Sequence, residues 1–380
     1  MGRVEQDWLA LSLVQGLGQK ALHRLIDRVG SIAELLQSDA ETIAAAGGID
    51  PVLAQRIARA RDVDALRIEQ RLIEQHGVRL LCLESPEYPP LLRQISVPPP
   101  LLYCRGEVPI PEGFPLAIVG TRRQSRYGEK AVRILLTELA RQVPGLVIVS
   151  GLARGIDTTA HHLALELGIK TVAVLGGGLS DVYPPENREL GEAIVKQGTL
   201  VSEFHMAMPP LAKHFPIRNR IISGLCRGVL IAEAGDRSGA LITAGFAVNH
   251  GREVFVVPGP IDHEGYVGSH RLIQKSQAKL VQRAEDILEE FDFARAPRVE
   301  QIDWLAEGGH VSTLQRAADR QAAYSEDQRR VLQCLRDGPQ IPDELAQATA
   351  IPVERLLGIL LELELAGEIG QTSNNRYAMA

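Results

Sequence analysis

Aromatic residues are scarce in this 380-residue chain, at 4%, so base-stacking platforms of the kind many single-strand binders use would be sparse. Positive charge is not in excess: 41 lysines and arginines stand against 47 aspartates and glutamates, for a formal net charge of -6. Any polyanion must therefore be met by a local patch, not by the overall field. The four cysteines, Cys82, Cys104, Cys226 and Cys334, lie far apart with no Cys-x-x-Cys pair, which argues against zinc and against a disulfide scaffold. No apolar run reaches membrane length and none follows a basic start. The expectation is a cytoplasmic protein with reduced thiols and no membrane contact. Two nucleotide signatures are missing as well. No Gly-x-x-x-x-Gly-Lys-Ser/Thr marks a P-loop, and no Gly-x-Gly-x-x-Gly follows the first core strand with an acidic residue at the end of the next. Neither a cofactor nor a metal is expected.

What is present is ordinary in bulk and specific in detail. The length fits two to four domains, and 45% apolar with 23% charged residues suits a soluble globular chain. Residues 1–75 read as helices. Gly16-Leu17-Gly18 and Gly47-Gly48 sit between helical segments, in the manner of helix-hairpin-helix units. Such glycines either let backbone amides approach a phosphate or only turn the chain of a small bundle, and few cations flank them. Residues 76–113 read as a connector packing on the core, with Gly77–Leu83 a possible strand and Pro98-Pro99-Pro100 breaking structure before Leu101.

From residue 114 to 291 short Val/Ile/Leu-rich runs alternate with helical stretches of ten or more residues. Strands are expected at Leu116–Gly120, Leu146–Gly151, Thr171–Gly176, Thr199–Glu203, Val229–Ala234 and Glu253–Val257. That alternation predicts an α/β fold, an extended Rossmann-like parallel sheet covered on both faces. Ligands of such sheets sit at the carboxyl ends of the strands.

Those ends carry one chemistry. The first has Gly120, Thr121, Arg122 and Arg123, with Arg126 behind. The second has Ser150, Gly151, Arg154, Gly155 and Asp157, the last placed to cap a helix. The third has Gly176-Gly177-Gly178 and Tyr183–Asn187, and the fifth has Glu233, Arg237, Ser238 and Gly239. The fourth leads through Lys213 to Phe215-Pro216-Ile217-Arg218-Asn219-Arg220, two arginines and an asparagine at a helix start. Alone, this last stretch fits an anion site or arginines paired with carboxylates such as Glu203 and Glu233. Glycine, hydroxyl and arginine converging from five strand ends point to a phosphate-bearing ligand. Adjacent His161 and His162 face different sides of a helix, so with Glu166 they make a poor metal site. Ser150 and Ser238 lack a histidine that would make either a nucleophile.

At these residues the sequence resembles the DNA-processing protein A family (DprA, also called Smf). The likeness spans residues 85–290 through Ile118–Arg122, Ser150–Asp157 with Ala160-His161, Ala173–Gly176, Phe215–Gly224, Ser238–Ala244 and Val257-Pro258-Gly259. It implies a Rossmann-like domain that binds single-stranded DNA through its phosphates and acts as a homodimer. It also implies protection of incoming DNA and loading of the RecA recombinase in natural transformation, without catalysis. The DNA-lining residues it implies are Gly120–Arg122, the Ser150–Gly155 loop, Lys213 and Arg218–Arg220, with Ser238 and Gly239 nearby. The chain departs from the family at Gly178-Leu179-Ser180, where cysteine and aspartate are usual. It departs again at Phe204–Met208, which lacks a glycine, at His270, where asparagine is usual, and at Ser276, where glycine is usual.

A linker is expected at 292–324. From 325 to 380, three helices and a hairpin resemble a winged helix. That segment holds nine acidic and five basic residues, which suits a protein contact better than a duplex-DNA groove. Two other readings stand beside DNA binding. A phosphoribohydrolase-like enzyme could use Glu203 or Glu233 for acid–base work, but Glu233–Gly239 lacks the glycine pair and final glutamate of that class. A pure interaction scaffold leaves the arginine-bearing edge unexplained.

Overall fold

The structure, a computed structural model, describes residues 2–107, 113–291, 325–336, 338, 340–365, 369–372 and 376–379. The chain divides into two compact units, Met1–Arg295 and Ala296–Ala380. The linker expected at 292–324 lies outside the described residues.

The first unit is built on a nine-stranded sheet: β1 Val78–Cys82, β2 Leu101–Gly106, β3 Phe114–Gly120, β4 Leu146–Ser150, β5 Lys170–Val174, β6 Thr199–Ser202, β7 Gly228–Glu233, β8 Glu253–Val256 and β9 Lys279–Leu280. Their spatial order is β1-β2-β6-β5-β4-β3-β7-β8-β9. All six strands expected from the Val/Ile/Leu runs are there, parallel to one another. Every residue of β4, β6 and β7 is buried, the pattern of strands covered on both faces. Side chains alternate between two cores. Leu116 and Ile118 meet Leu135 and Leu163 on one face. Ala117 and Val119 meet Ile221, Ala240 and Ala244 on the other. The helices Arg126–Gln142 and Ile156–Glu166 therefore cover one face, and His214–Gly224 and Gly239–Asn249 the opposite one.

The region expected as a connector contributes β1 and β2, which pair antiparallel with each other and with β6 and so extend the sheet at its edge. The parallel sheet expected over 114–291 is present, and these two strands add an antiparallel edge to it. The three prolines precede β2 without preventing it, because Leu101 to Cys104 are buried in the sheet and the chain needs no N–H from the prolines before it. The helices of residues 1–75 share a core with this sheet: Trp8, Leu25, Ile43 and Ile57 join Leu80, Tyr103 and Leu200. A buried carboxylate ties them down, Glu69 accepting a bond from the Met206 amide at 2.6 Å. Gly48 ends one helix in the left-handed conformation at φ 57, and the Asp50 side chain then starts the next, with Pro51 in its first turn.

The second unit packs three helices, Glu326–Arg336, Pro342–Thr349 and Val353–Leu365, around Val331, Leu345, Leu356 and Leu360. A hairpin of β10 Ile369–Thr372 and β11 Arg376–Met379 completes the winged helix. Three of its arginines, Arg330, Arg355 and Arg376, are each engaged by a carboxylate, from Glu326, Asp327 and Glu344.

Ser276 adopts a left-handed φ of 52 after the helix Val267–Gln274, where a Cβ is strained by about 1 kcal/mol. Ser276→Gly should relieve more than the added chain entropy of glycine takes back, raising unfolding free energy by about 0.5 kcal/mol in chemical denaturation.

Candidate nucleic-acid interface

The chain runs outward from β3 through β4, β5 and β6, then returns so that β7 lies on the other side of β3. Such a reversal opens a crevice at the carboxyl ends of the two strands. An open groove of about 810 Å³ lies there, bordered by Gly120–Arg123, Arg218, Asn219 and Arg237–Gly239. A smaller cleft beside it is lined by Gly151, Arg154 and Gly176–Gly178, and the two share Arg122, Tyr183 and Phe215. The structure thus brings together residues from all five loops.

The cations divide into two kinds. Arg122, Arg123, Arg237 and Lys213 are exposed and have no carboxylate partner among the described residues. Asp236, the nearest acid in sequence to Arg237, is held by Arg271. Arg154 is exposed but paired with Glu186. Arg218 and Arg220, by contrast, are 3% and 7% exposed. One terminal nitrogen of Arg218 donates to the carbonyls of Gly151, at 2.8 Å, and Val174, joining the ends of β4 and β5 from beneath the groove. Burial lowers its pKa to about 10, with the Asp157 charge acting in the opposite sense. Arg220 forms a buried ion pair with Glu203 at 2.5 Å and borders neither cavity. The pairing alternative therefore describes Arg220, while Glu233 pairs with neither arginine.

Phe215 carries a role the sequence reading passed over. Its ring has Arg122 at 5.4 Å and Arg218 at 5.9 Å, so one aromatic ring helps orient an exposed and a buried guanidinium. Its position three residues before Arg218 was the available signal. Tyr183 lies 5.8 Å from the same ring.

The glycines also divide. Gly155, at φ 74 and ψ -127, sits so close to the first loop that a Cβ would lie 2.4 Å from the Thr121 carbonyl. At Gly151 a Cβ would come within 2.8 Å of Arg218 and Asp157 atoms. These two seal loop against loop. Gly239 has nothing within 4 Å and opens the 11-residue helix Gly239–Asn249 at the groove, where first-turn amides and the dipole favour an anion. Ser238 caps that helix by accepting from the Ala240 amide, and Asn219 donates to the Gly239 carbonyl at 3.3 Å. The Ser150 hydroxyl is fully buried and donates to the Ile118 carbonyl at 2.6 Å. The Thr121 hydroxyl accepts from the Arg123 amide.

The sequence places Asp157 as a helix cap, but Gly155 holds the cap position, and the Asp157 carboxylate, inside the first turn, accepts from the amides of Gly151 and Ala153 at 3.0 and 3.4 Å. Burial raises its pKa to about 6, against the pull of Arg218. His161 is buried against the Thr171 hydroxyl at 2.7 Å. Among the described residues no His/Cys/Asp/Glu cluster could hold a metal.

A doubly wound sheet with a cation-lined groove at its switch point places the chain in the Rossmann-like class of α/β proteins. Three family models match the chain: DNA recombination-mediator protein A over residues 79–292, the DprA winged helix domain over 315–375, and a SAM-like helix-hairpin-helix tandem over 9–61. The chain belongs to the DNA recombination-mediator protein A (DprA/Smf) family. It is 41% identical over 305 residues to Protein Smf of Escherichia coli, covering 78% of this chain and 76% of the relative. To the DNA processing protein DprA of Streptococcus pneumoniae it is 46% identical over 206 residues, 54% of this chain and 72% of that one. The X-ray structure of the pneumococcal protein matches with a TM-score of 0.68 at 36% identity, over 77% of this chain and all of that one. A Helicobacter pylori DNA processing protein A, whose structure describes single-stranded DNA binding, matches with a TM-score of 0.51 at 29% identity, over 56% and 94%.

Two stability tests follow from the buried charges. Arg220→Ala leaves Glu203 buried beside a vacated site and should lose about 3–5 kcal/mol, whereas Arg220→Met with Glu203→Leu should recover most of it in denaturant unfolding. The Asp157 carboxyl has a native pKa above its unfolded value, so its ionisation disfavours folding. Wild type should lose stability relative to Asp157→Asn as pH rises from about 4 to 6, by up to about 3 kcal/mol, in pH-resolved melts.

Proposed function

We propose that this protein binds single-stranded DNA by its phosphates along the carboxyl edge of the sheet, without catalysis. The observation that carries this reading is the set of exposed, carboxylate-free cations, Arg122, Arg123 and Arg237, around an open groove that also receives a helix N-terminus. Phosphates are met by such cations and amides, and the groove is open rather than a closed nucleotide pocket. The Helicobacter relative's single-strand binding supports the choice of ligand. On this reading the Rossmann-like region 114–291 takes incoming DNA in the cytoplasm during natural transformation, protects it and loads RecA onto it, with the protein acting as a homodimer. The acidic winged helix then serves protein contact: three of its described arginines, Arg330, Arg355 and Arg376, are already engaged by carboxylates, and duplex binding needs free cations. Among the described residues no helix is long and apolar enough to cross a membrane.

The enzymatic alternative takes Glu233 or Glu203 as its acid–base group at the ligand. Glu233 is 1% exposed and accepts from Ser125 and Tyr266, and neither it nor Glu203 borders the groove.

Fluorescence anisotropy with a labelled oligonucleotide tests the reading. Affinity should fall steeply between about 50 and 200 mM salt, and Arg122→Ala, Arg123→Ala or Arg237→Ala should each flatten the log–log slope by about 0.7, equally for all sequences. Absence of single-strand binding at low salt overturns the proposal, and release of free base from a nucleoside monophosphate would restore the enzymatic one. Size exclusion and capture of purified RecA test the homodimer and the RecA contact.

A further inference from the structure

We propose that Glu233 is a positioning residue for the groove: its buried carboxylate fixes the loop that presents Arg122 and Arg123, without meeting the ligand. This rests on the reading that those arginines take phosphates. Glu233 ends β7 and is 1% exposed. Its Oε2 accepts from the Ser125 amide at 2.9 Å, the Ser125 hydroxyl at 2.8 Å and the Tyr266 hydroxyl at 3.2 Å. Its main-chain carbonyl accepts from the Thr121 amide at 2.8 Å. One residue thus holds both ends of the Thr121–Ser125 loop, by backbone at the first and by side chain at the last.

The surroundings are shaped to that carboxylate. A Cβ on Gly128 would lie 2.3 Å from Oε2, and one on Gly265 2.9 Å from Oε1. The strand register shifts where Gly120 meets Glu233, which turns the loop away from the sheet. Ser125 passes the restraint onward by accepting from the Gly128 amide at 3.0 Å, capping the helix Arg126–Gln142. Among the described residues Glu233 has no ion-pair partner. An unpaired buried carboxylate is costly, and here only neutral donors satisfy it. Those donors belong to the arginine loop and to Tyr266, so the group's work is to join them. Arg122 and Arg123 are exposed and hold no carboxylate, so loop placement, together with the Phe215 ring beside Arg122, sets how far apart their charges stand. Two cations spaced to match successive phosphates bind more tightly than the same two on a wandering loop.

The test uses the full chain. Glu233→Ala should weaken single-strand binding about tenfold and flatten its salt slope. Glu233→Gln, which keeps an oxygen acceptor, should retain most of the affinity. In an Arg122→Ala/Arg123→Ala background, Glu233→Ala should add no further loss, since the loop then has nothing to place. Trypsin should cut after Arg122 and Arg123 faster in Glu233→Ala than in wild type, at temperatures where both are folded by circular dichroism. An equal loss of affinity in both backgrounds, or unchanged trypsin cleavage, overturns the proposal. Should Glu233→Ala fail to fold, Ser125→Ala removes the hydroxyl donor from the loop side and must show the same non-additivity and cleavage. The cleavage arm needs no DNA, so a wild type that binds no single strand sinks the proposed function while the role of Glu233 is still decided.

Discussion

Arg218 keeps its positive charge inside the protein. Its guanidinium lies beneath the groove, bonded to the carbonyls of Gly151 and Val174, with Phe215 alongside and the Asp157 charge within Coulombic reach. Desolvating a guanidinium costs several kcal/mol, and here main-chain oxygens at two strand ends offset it. Those oxygens belong to the loops that form the smaller cleft. The helix His214–Gly224 is thereby docked by a buried charge, and its docking sets where Phe215, Asn219 and Lys213 stand. Asp157 completes the clasp from the other side through the amides of Gly151 and Ala153.

Around that clasp the first loop is held by shape. Gly155 and Gly120 allow backbone contacts that a Cβ would block, and Ile156 donates its amide to the Thr121 carbonyl. Buried groups therefore decide where the exposed ones go, and exposed ones decide what the groove attracts. This separation explains how a chain of net charge -6 can present a basic edge. Several acids near the edge are occupied, as Glu186 is by Arg154, Glu203 by Arg220 and Asp236 by Arg271. Others lie in the winged helix. The field at the groove is local, short-ranged in salt and open to a flexible polyanion.

The amino-acid sequence by itself determined the alternating strands and helices, because a strand buried on both faces needs an unbroken apolar run and Leu116–Gly120 or Val229–Ala234 can be nothing else in a domain this size. It determined that the loops at the carboxyl ends carry the chemistry, and the order of motifs carried the family. Only the tertiary structure decided which arginines are free. Arg218 and Arg220 are two residues apart on one helix, yet one clasps two strand ends and the other meets Glu203, because each is buried against a different neighbour that is distant in the chain. The same holds for β1 and β2, whose antiparallel pairing at the sheet edge depends on β6 rather than on their own composition. Glu233 looked like a candidate acid–base group from its place at a strand end. Burial and three donors from Ser125 and Tyr266, 108 and 33 residues away, gave it a different task, and contacts of that separation leave no periodicity or spacing to read.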